Sequence, residues 1–360
     1  MEEFSCKTRI LSGPGACAAL SSMGAKRLFL VTDPFFSKNG TAKRIIELAH
    51  CQSSEVFDSI QPDPSVELAA EGTAKLRAFE PDLLVALGGG SAMDCAKAMA
   101  FFAKGNYKVV AIPTTSGSGS EVTDFAILTH DGVKHPLVDR RLRPSMAILD
   151  SDLLESLPKS LIADAGFDVL SHALESYVAV NAGAFSDLLA REAFAGAYAA
   201  LPASYAGQKA VRLKIHLAST MAGLSFTHAG LGLCHAISHS LGGLFHVPHG
   251  RLNAILLLPV ISCNAHAAQR KYAELSRAAG LGGSADQVAV RNLKNGLIRL
   301  RKELELPQTL AEAGISPREL WSKMPGIVAA ALEDPCCKTN PMPAEDFLIR
   351  RILEEAAGRG

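Results

Sequence analysis

None of the eight cysteines forms a CxxC pair, and only Cys336 and Cys337 are adjacent. The scatter reads as a reduced cytosolic inventory, not as a disulfide framework. Charge of either sign is missing in excess: 36 basic residues balance 36 acidic ones, and no charged tail interrupts the mixture. A neutral chain has no basic field to draw nucleic acid or an anionic membrane, so neither is expected as a partner. Long apolar runs are absent too. "AILLLPVI" at 254–261 is far too short to cross a bilayer. The opening "MEEFSCKTRI" is acidic and then alternates, which predicts no signal peptide and a cytoplasmic location. Internal repeats and low-complexity segments are also lacking.

What is present is a 360-residue chain, 48% hydrophobic, with material for two domains. In the first 150 residues, apolar runs at 27–33, 82–90, 108–115 and 145–150 read as buried parallel strands. Helical stretches at 42–50 and 65–79 lie among them. The alternation predicts an α/β domain with a doubly wound parallel sheet. "FAILTHDGVKHPLV" reads as an inserted hairpin turning at Asp131-Gly132. From about Leu157 the strand signal stops. Helical periods follow at 161–180, 186–200, 209–226, 231–241, 252–265, 284–304 and 317–332, punctuated by Pro158, Pro202 and Pro248. The expected division is 1–156, a nucleotide-binding α/β domain, and 157–360, an all-helical domain.

Five of the 11 histidines fall between Ser225 and Gly250: His228, His235, His239, His246 and His249. An even spread would put about one there. His235 and His239 are spaced i, i+4. Gly242-Gly243 is then expected to break the helix, and the chain returns through Pro248 to His249. Upstream, "ADAGFDVLSHALESYV" places Asp164, Asp168, His172 and Glu175 in one stripe about 80° wide on an otherwise apolar helix. That pattern also fits a surface helix with its polar side in water. Asp168 and His172, one turn apart, can reach a common metal ion. A lone histidine is ordinarily a satisfied core residue. Five in one glycine-flanked, nearly uncharged window favour a site. A carboxylate with imidazoles suits Fe(II) or Zn(II) and disfavours Mg or Ca. Spacing alone does not separate a ligand from a catalytic acid.

The second constellation is "LVALGGGSAMDCAKAMA". A buried strand runs into Gly88-Gly89-Gly90, and Ser91 opens a helix whose free N–H groups can cradle a phosphate. "IPTTSGSGSEVT" at 112–123 repeats the arrangement on the next strand. Two such ends suggest a diphosphate. Asp33, ending "LFLVTD", can accept from a ribose diol, which favours NAD over NADP.

In this order, "GGGSAMDCAK", "IPTTSGSGSEVT", "GFDVLSHALE", "GLGLCHAISHSLGG", "PHGRLNAILLLP" and "KTNPMP" resemble the iron-containing (group III) alcohol dehydrogenase family, with greatest likeness to the microcompartment-associated 1-propanol/ethanol dehydrogenases. The resemblance runs over nearly the whole chain. It implies an N-terminal nucleotide domain, a helical domain of the dehydroquinate synthase-like type and an active site in the cleft between them. It also implies NAD(H) and one divalent metal, Fe2+ favoured over Zn2+. The implied ligands are Asp168, His172, His235 and His249, with His239 as the non-ligand proton conduit. The cofactor side would be Asp33, Gly89, Gly90, Ser91, Asp94, Thr114, Thr115 and Lys134, and Phe226 would line the substrate pocket. Expected partners are a short aldehyde or primary alcohol, further copies of the chain as a homo-oligomer, and a bacterial microcompartment. Three positions depart or are open. Ser118 replaces the usual Thr, Met342 stands where Arg is common, and His246 has no assigned role. Two other readings are a dehydroquinate synthase-like lyase and a non-catalytic shell-associated subunit. The stretch from Phe226 to Pro248 holds no Lys or Arg, which argues against a phosphorylated lyase substrate.

Overall fold

The computed structural model describes residues 3–105, 107–130 and 133–358. They form two compact units, Ser5–Leu157 and Pro158–Gly360. Phe4 groups with the second unit, where its ring stacks on His228 and Phe185.

The first unit holds β1 (Arg9–Ser12), β2 (Arg27–Val31), α1 (Pro34–Lys38), α2 (Thr41–Ala49), β3 (Ser53–Phe57), α3 (Val66–Phe79), β4 (Leu83–Gly88), α4 (Gly90–Ala103), β5 (Lys108–Pro113), β6 (Phe125–His130), β7 (Val133–Val138) and β8 (Met146–Leu149). Six strands pair in parallel in the order β1-β8-β5-β4-β2-β3. Alternate residues explain why these strands read as unbroken apolar runs. Leu83, Val85 and Leu87 of β4 pack with Leu20 and Ile45 on one face. Leu84 and Ala86 pack with Leu76, Met93 and Met99 on the other. With both faces covered by helices, neither set of side chains can be polar. The edge strand β3 and β1 were not anticipated. β3, "SSEVF", buries only Phe57, exposes Ser54 and Val56, and lacks the apolar run that marks its neighbours. β6 and β7 pair antiparallel as the expected hairpin. Its turn, Asp131-Gly132, lies outside the described residues.

From β2 the chain steps outward to β3, then crosses back to place β4 on the other side of β2. A reversal of this kind opens a crevice at the carboxyl ends of the two strands, where ligands of α/β sheets bind. Asp33 follows β2 and Gly88-Gly89-Gly90 ends β4, so these residues stand at this crevice.

The second unit is helical: α5 (Lys159–Val178), α6 (Ala184–Tyr205), α7 (Arg212–Ala229), α8 (Leu233–Phe245), α9 (His249–Ala278), α10 (Asp286–Glu303), α11 (Pro317–Glu333) and α12 (Asp346–Ala356). α5 is a core helix: apart from Ala165, every residue from Ile162 to Val178 is buried, the polar stripe included. The alternative of a surface helix is thereby set aside. Two expected breaks move. Pro202 lies inside α6, one turn before its end. α8 continues through Gly242-Gly243, because a helical glycine costs only about 1 kcal/mol and packing supplies more. The helix stops instead at His246, whose φ of 54° is left-handed. Pro248 then bars return to helix before α9. His246 is the cap of this turn, and its side chain is exposed. α9, 30 residues, is the one helix among the described residues long and apolar enough to cross a bilayer. In this fold 67% of that stretch is buried, as in a core helix.

Candidate metal centre and nucleotide loops

The helical unit brings four ligating groups together. Asp168 and His172 project from successive turns of α5, His235 from the first turn of α8, and His249 is the first residue of α9. One donor atom from each lies within 4.8 Å of the others. His235 Nε2 is 3.8 Å and His249 Nε2 3.6 Å from Asp168 Oδ1, and His172 Nδ1 is 4.0 Å from Asp168 Oδ2. The His172 ring is sandwiched between His235 and Phe226, both with centroids 4.5 Å away.

Close backbone packing makes this possible. A Cβ on Gly250 would fall 2.0 Å from the carbonyl oxygen of Asp164, so only glycine lets α9 start against α5. The bidentate pair of Arg251 with Asp164, at 3.1 and 3.0 Å, locks the same junction. His249 is thus delivered beside Asp168.

Hydrogen bonds at the far ring nitrogens set the tautomers. His235 Nδ1 donates to Glu175 Oε2 at 2.6 Å. His249 Nδ1 lies 3.3 Å from the Ser238 hydroxyl, which itself donates to the His235 carbonyl. Both rings then present a bare Nε2. Burial holds His235 well below the ordinary histidine pKa, and the neighbouring His172 and His239 add to that, so its ring is neutral and its lone pair available. Burial pushes the Glu175 carboxyl up to about 7, against the N–H groups of Cys234, Gly232 and His235 that hold it down. Those N–H groups open α8, so Glu175 caps that helix and orients its ligand at once. Asn340 shares the cap: its Oδ1 accepts from Leu233 N, and its Nδ2 donates to the Met342 carbonyl. Met342 therefore contributes its backbone here, which any side chain would allow.

The donor set fits a divalent metal. Asn253 Nδ2 lies 2.8 Å from Asp168 Oδ1, 3.2 Å from His235 Nε2 and 3.1 Å from His249 Nε2. An amide has two protons for these three acceptors. A fourth acceptor, His172 Nδ1, is buried without a hydrogen-bond partner. Acceptors converging in such excess on one point are what a cation satisfies. One carboxylate and three imidazoles suit iron or zinc.

His239, one turn beyond His235, stacks on His249 with centroids 5.2 Å apart. Its Nδ1 is bonded to Asp334 Oδ2 at 2.8 Å and it is absent from the four-residue ligand group, though with Asp334 and Cys336 it forms a second, half-buried group of potential ligands. His228, by contrast, bonds its own helix at the Leu224 carbonyl. Of the five clustered histidines, His235 and His249 enter the ligand group and His239 stacks beside it. Among the apolar residues of this window, Phe226 and Leu233 are buried, whereas Leu244 is exposed and cannot serve as an enclosed wall.

In the sheet unit, Gly88 has φ +152°, and a Cβ there would meet Ala92 at 2.7 Å. No side chain caps α4, so its first N–H groups face the loop. Cβ atoms at Gly89 and Gly90 would crowd Thr115 Oγ1 at 3.3 Å and Ser118 Cβ at 3.1 Å, so the two glycine-rich ends lie side by side. Ser91 stands in the first turn of α4. Thr114 is buried, its N–H bonded to Gly88 O. Asp33 caps α1 through Oδ1, accepting from Phe35 N and Phe36 N. Its Oδ2 lies toward Gly88. Two residues expected on the cofactor are held by the protein. Asp94 accepts from Ser120 Oγ and Lys97 Nζ on one oxygen and from Ile127 N on the other. The buried Lys97 also donates to Ser120 O, Ser120 Oγ and Thr123 Oγ1. This network pins the second loop under α4. Lys134 Nζ pairs with Asp63 at 2.7 Å.

Sequence reasoning passed over Glu175, Asn253 and Asp334. Glu175 stood in the polar stripe without a role, and Asn253 repeats the i, i+4 spacing from His249. Nothing in the sequence points from His239 to Asp334.

A glycine-rich crevice in one unit, and in the other a buried group of one aspartate and three histidines, fit the class of metal- and dinucleotide-linked oxidoreductases. Comparison with known proteins makes the class specific. Residues 7–151 match the iron-containing alcohol dehydrogenase family and residues 162–357 its C-terminal part. The chain therefore belongs to the iron-containing alcohol dehydrogenase family. It is 40% identical to 1-propanol dehydrogenase PduQ of Salmonella typhimurium, covering 99% of this chain and 100% of that one. It is 34% identical to an NADPH-dependent butanol dehydrogenase of Clostridium saccharobutylicum, covering 98% and 97%. Among solved structures, the iron-containing alcohol dehydrogenase of Thermococcus thioreducens superposes with a TM-score of 0.91 at 32% identity, over 99% of this chain and 100% of that one.

Proposed function

We propose that this oxidoreductase interconverts short-chain aldehydes and primary alcohols, such as propanal/1-propanol and acetaldehyde/ethanol, with NAD(H) and one Fe2+. The observation that carries the reading is the convergence of Asp168, His172, His235 and His249 beside the Phe226 ring. When bound, the metal supplies Lewis acidity toward the substrate oxygen and the dinucleotide supplies the hydride. The chain's own residues orient and protonate. Glu175 and Ser238 hold two ligand rings in the tautomer that leaves Nε2 bare. His239 holds a proton at Nε2 for the alcohol oxygen. Asp33 accepts from a ribose diol and repels a 2′-phosphate, which supports NAD although one relative is named for NADPH. Gly89, Gly90, Ser91, Thr114 and Thr115 approach the diphosphate, while Asp94 holds their loops in place. The resemblance supports a cytoplasmic, homo-oligomeric enzyme associated with a microcompartment.

The test is metal analysis of anaerobically purified protein, with a panel of aldehydes assayed with NADH and NADPH. About one iron per chain is expected, with NADH preferred. Each added methylene should change kcat/KM by about 1–3 kcal/mol at most. Phosphorylated or carboxylated aldehydes should be poor, since the Phe226–Pro248 stretch carries no cation to pair with them. Strong preference for an anionic aldehyde would overturn the apolar pocket. Zinc with full activity after exposure to air would overturn iron.

A further inference from the structure

We propose that Asp334 is the positioning residue for His239: it selects the ring tautomer and holds the ring so that Nε2, not Nδ1, exchanges the proton with the substrate oxygen. This deepens the reading of His239 given above and rests on it. His235, His239 and His249 share one device, a hydrogen bond at Nδ1. His235 takes it from Glu175 on α5 and His249 from Ser238 on α8, both inside the metal helices. His239 alone takes it from a distant segment, the turn that follows α11.

The carboxylate of Asp334 is not free to swing. Its Oδ1 accepts from Cys336 N at 2.8 Å. Its own N–H donates to Ala331 O, and its carbonyl accepts from Cys337 N. Only Oδ2 is left to face His239. Burial works to raise its pKa, but the bond and charge of His239, with Cys336 N–H, outweigh that and hold it down to about 2. An ionised carboxylate accepts only, so a neutral His239 must carry its proton on Nδ1. In aldehyde reduction the ring gives its proton from the doubly protonated form, with Nδ1–H on Asp334 and Nε2–H toward the substrate, and as the carbonyl carbon is reduced the Nε2 proton passes to the oxygen. His239 is left neutral with Nδ1–H still on Asp334, and water restores the Nε2 proton. Alcohol oxidation runs the same path backwards.

Asp334→Asn is the informative change. Its amide oxygen can serve either Cys336 N–H or His239 Nδ1–H, and the NH2 group must face the other. If the backbone donor keeps the oxygen, the NH2 group forces His239 to the Nε2–H tautomer. In zinc-loaded holoenzyme with labelled histidine, the His239 signal, assigned by its loss in His239→Gln, should report Nδ1–H in the wild type. It should report a shift toward Nε2–H in Asp334→Asn. Asp334→Glu, which keeps a carboxylate, should retain the native tautomer and guards against a misfolded Asn variant. Metal content should hold and aldehyde KM should stay within about twofold. The kcat of Asp334→Asn should fall roughly 10- to 100-fold, less than the roughly 10²–10⁴ expected for His239→Gln. Placed in the His239→Gln background, Asp334→Asn should cost nothing more, because the two act as one unit. An unchanged tautomer, or an equal loss of kcat in both backgrounds, overturns the proposal. Full kcat in His239→Gln instead overturns the underlying proton-carrier reading, and the tautomer measurement still judges the Asp334 contact.

Discussion

The candidate metal centre and the glycine-rich loops would hold a ligand in opposite ways. In the helical unit the binding atoms belong to side chains, and a second polar group aims two of the rings: Glu175 aims His235 and Ser238 aims His249. In the sheet unit the binding atoms belong to the backbone, and what matters is the Cβ that is missing at Gly88, Gly89 and Gly90. The first arrangement is sensitive to chemistry at a single atom. The second is sensitive to space. Removing a functional group should therefore empty one region and leave the other intact.

The largest effect tests that separation directly. His249→Ala should lose most of the bound metal and nearly all turnover while NADH binding, followed by fluorescence, stays close to wild type. Full metal occupancy with normal turnover would break the comparison and remove His249 from the ligand set. A smaller effect is expected from Glu175→Gln, which leaves every ligand in place but exchanges an oxygen for an NH2 group beside His235 Nδ1 or the α8 N–H groups. Metal affinity, measured by competition with a chelator, should fall by roughly 10- to 100-fold. An unchanged affinity would mean that packing alone aims His235. The smallest effect sits in the other unit. Asp33→Gly should narrow the preference for NADH over NADPH, chiefly through the NADPH KM, with metal content unaltered. Equal efficiency of the wild-type protein with both cofactors would show that Asp33 serves only as the cap of α1.

How much of this was legible follows from the same contrast. Asp168–His172 and His235–His239 were readable because one helical turn separates each pair, and a turn is a local quantity. The parallel strands β2, β4, β5 and β8 were readable because burial on both faces leaves only apolar residues. β1 and β3 were not, since short strands at the sheet's edges keep polar positions. The end of α8 was misplaced at Gly242-Gly243, because glycine weakens a helix by less than packing strengthens it. The positive φ of His246 before Pro248 decided the matter. Asp94 and Lys134 matched a cofactor-binding pattern, and the fold adds what the pattern does not record, that their charged atoms meet Ser120, Lys97 and Asp63. A motif records which residues stand together, not which atoms are already taken.

The sequence by itself determined the α/β and helical halves, the glycine-rich strand ends and the one-turn pairs Asp168–His172 and His235–His239, because each rests on periodicity, turn chemistry or spacing within a few residues, whereas the set of four candidate ligands came from the family resemblance. Only the tertiary structure decided which nitrogen each ring presents. That choice depends on partners remote in the chain: Glu175 lies 60 residues from His235, and Asp334 lies 95 from His239. A hydrogen bond is directional over about 3 Å, and nothing short of packed helices brings such groups to that distance.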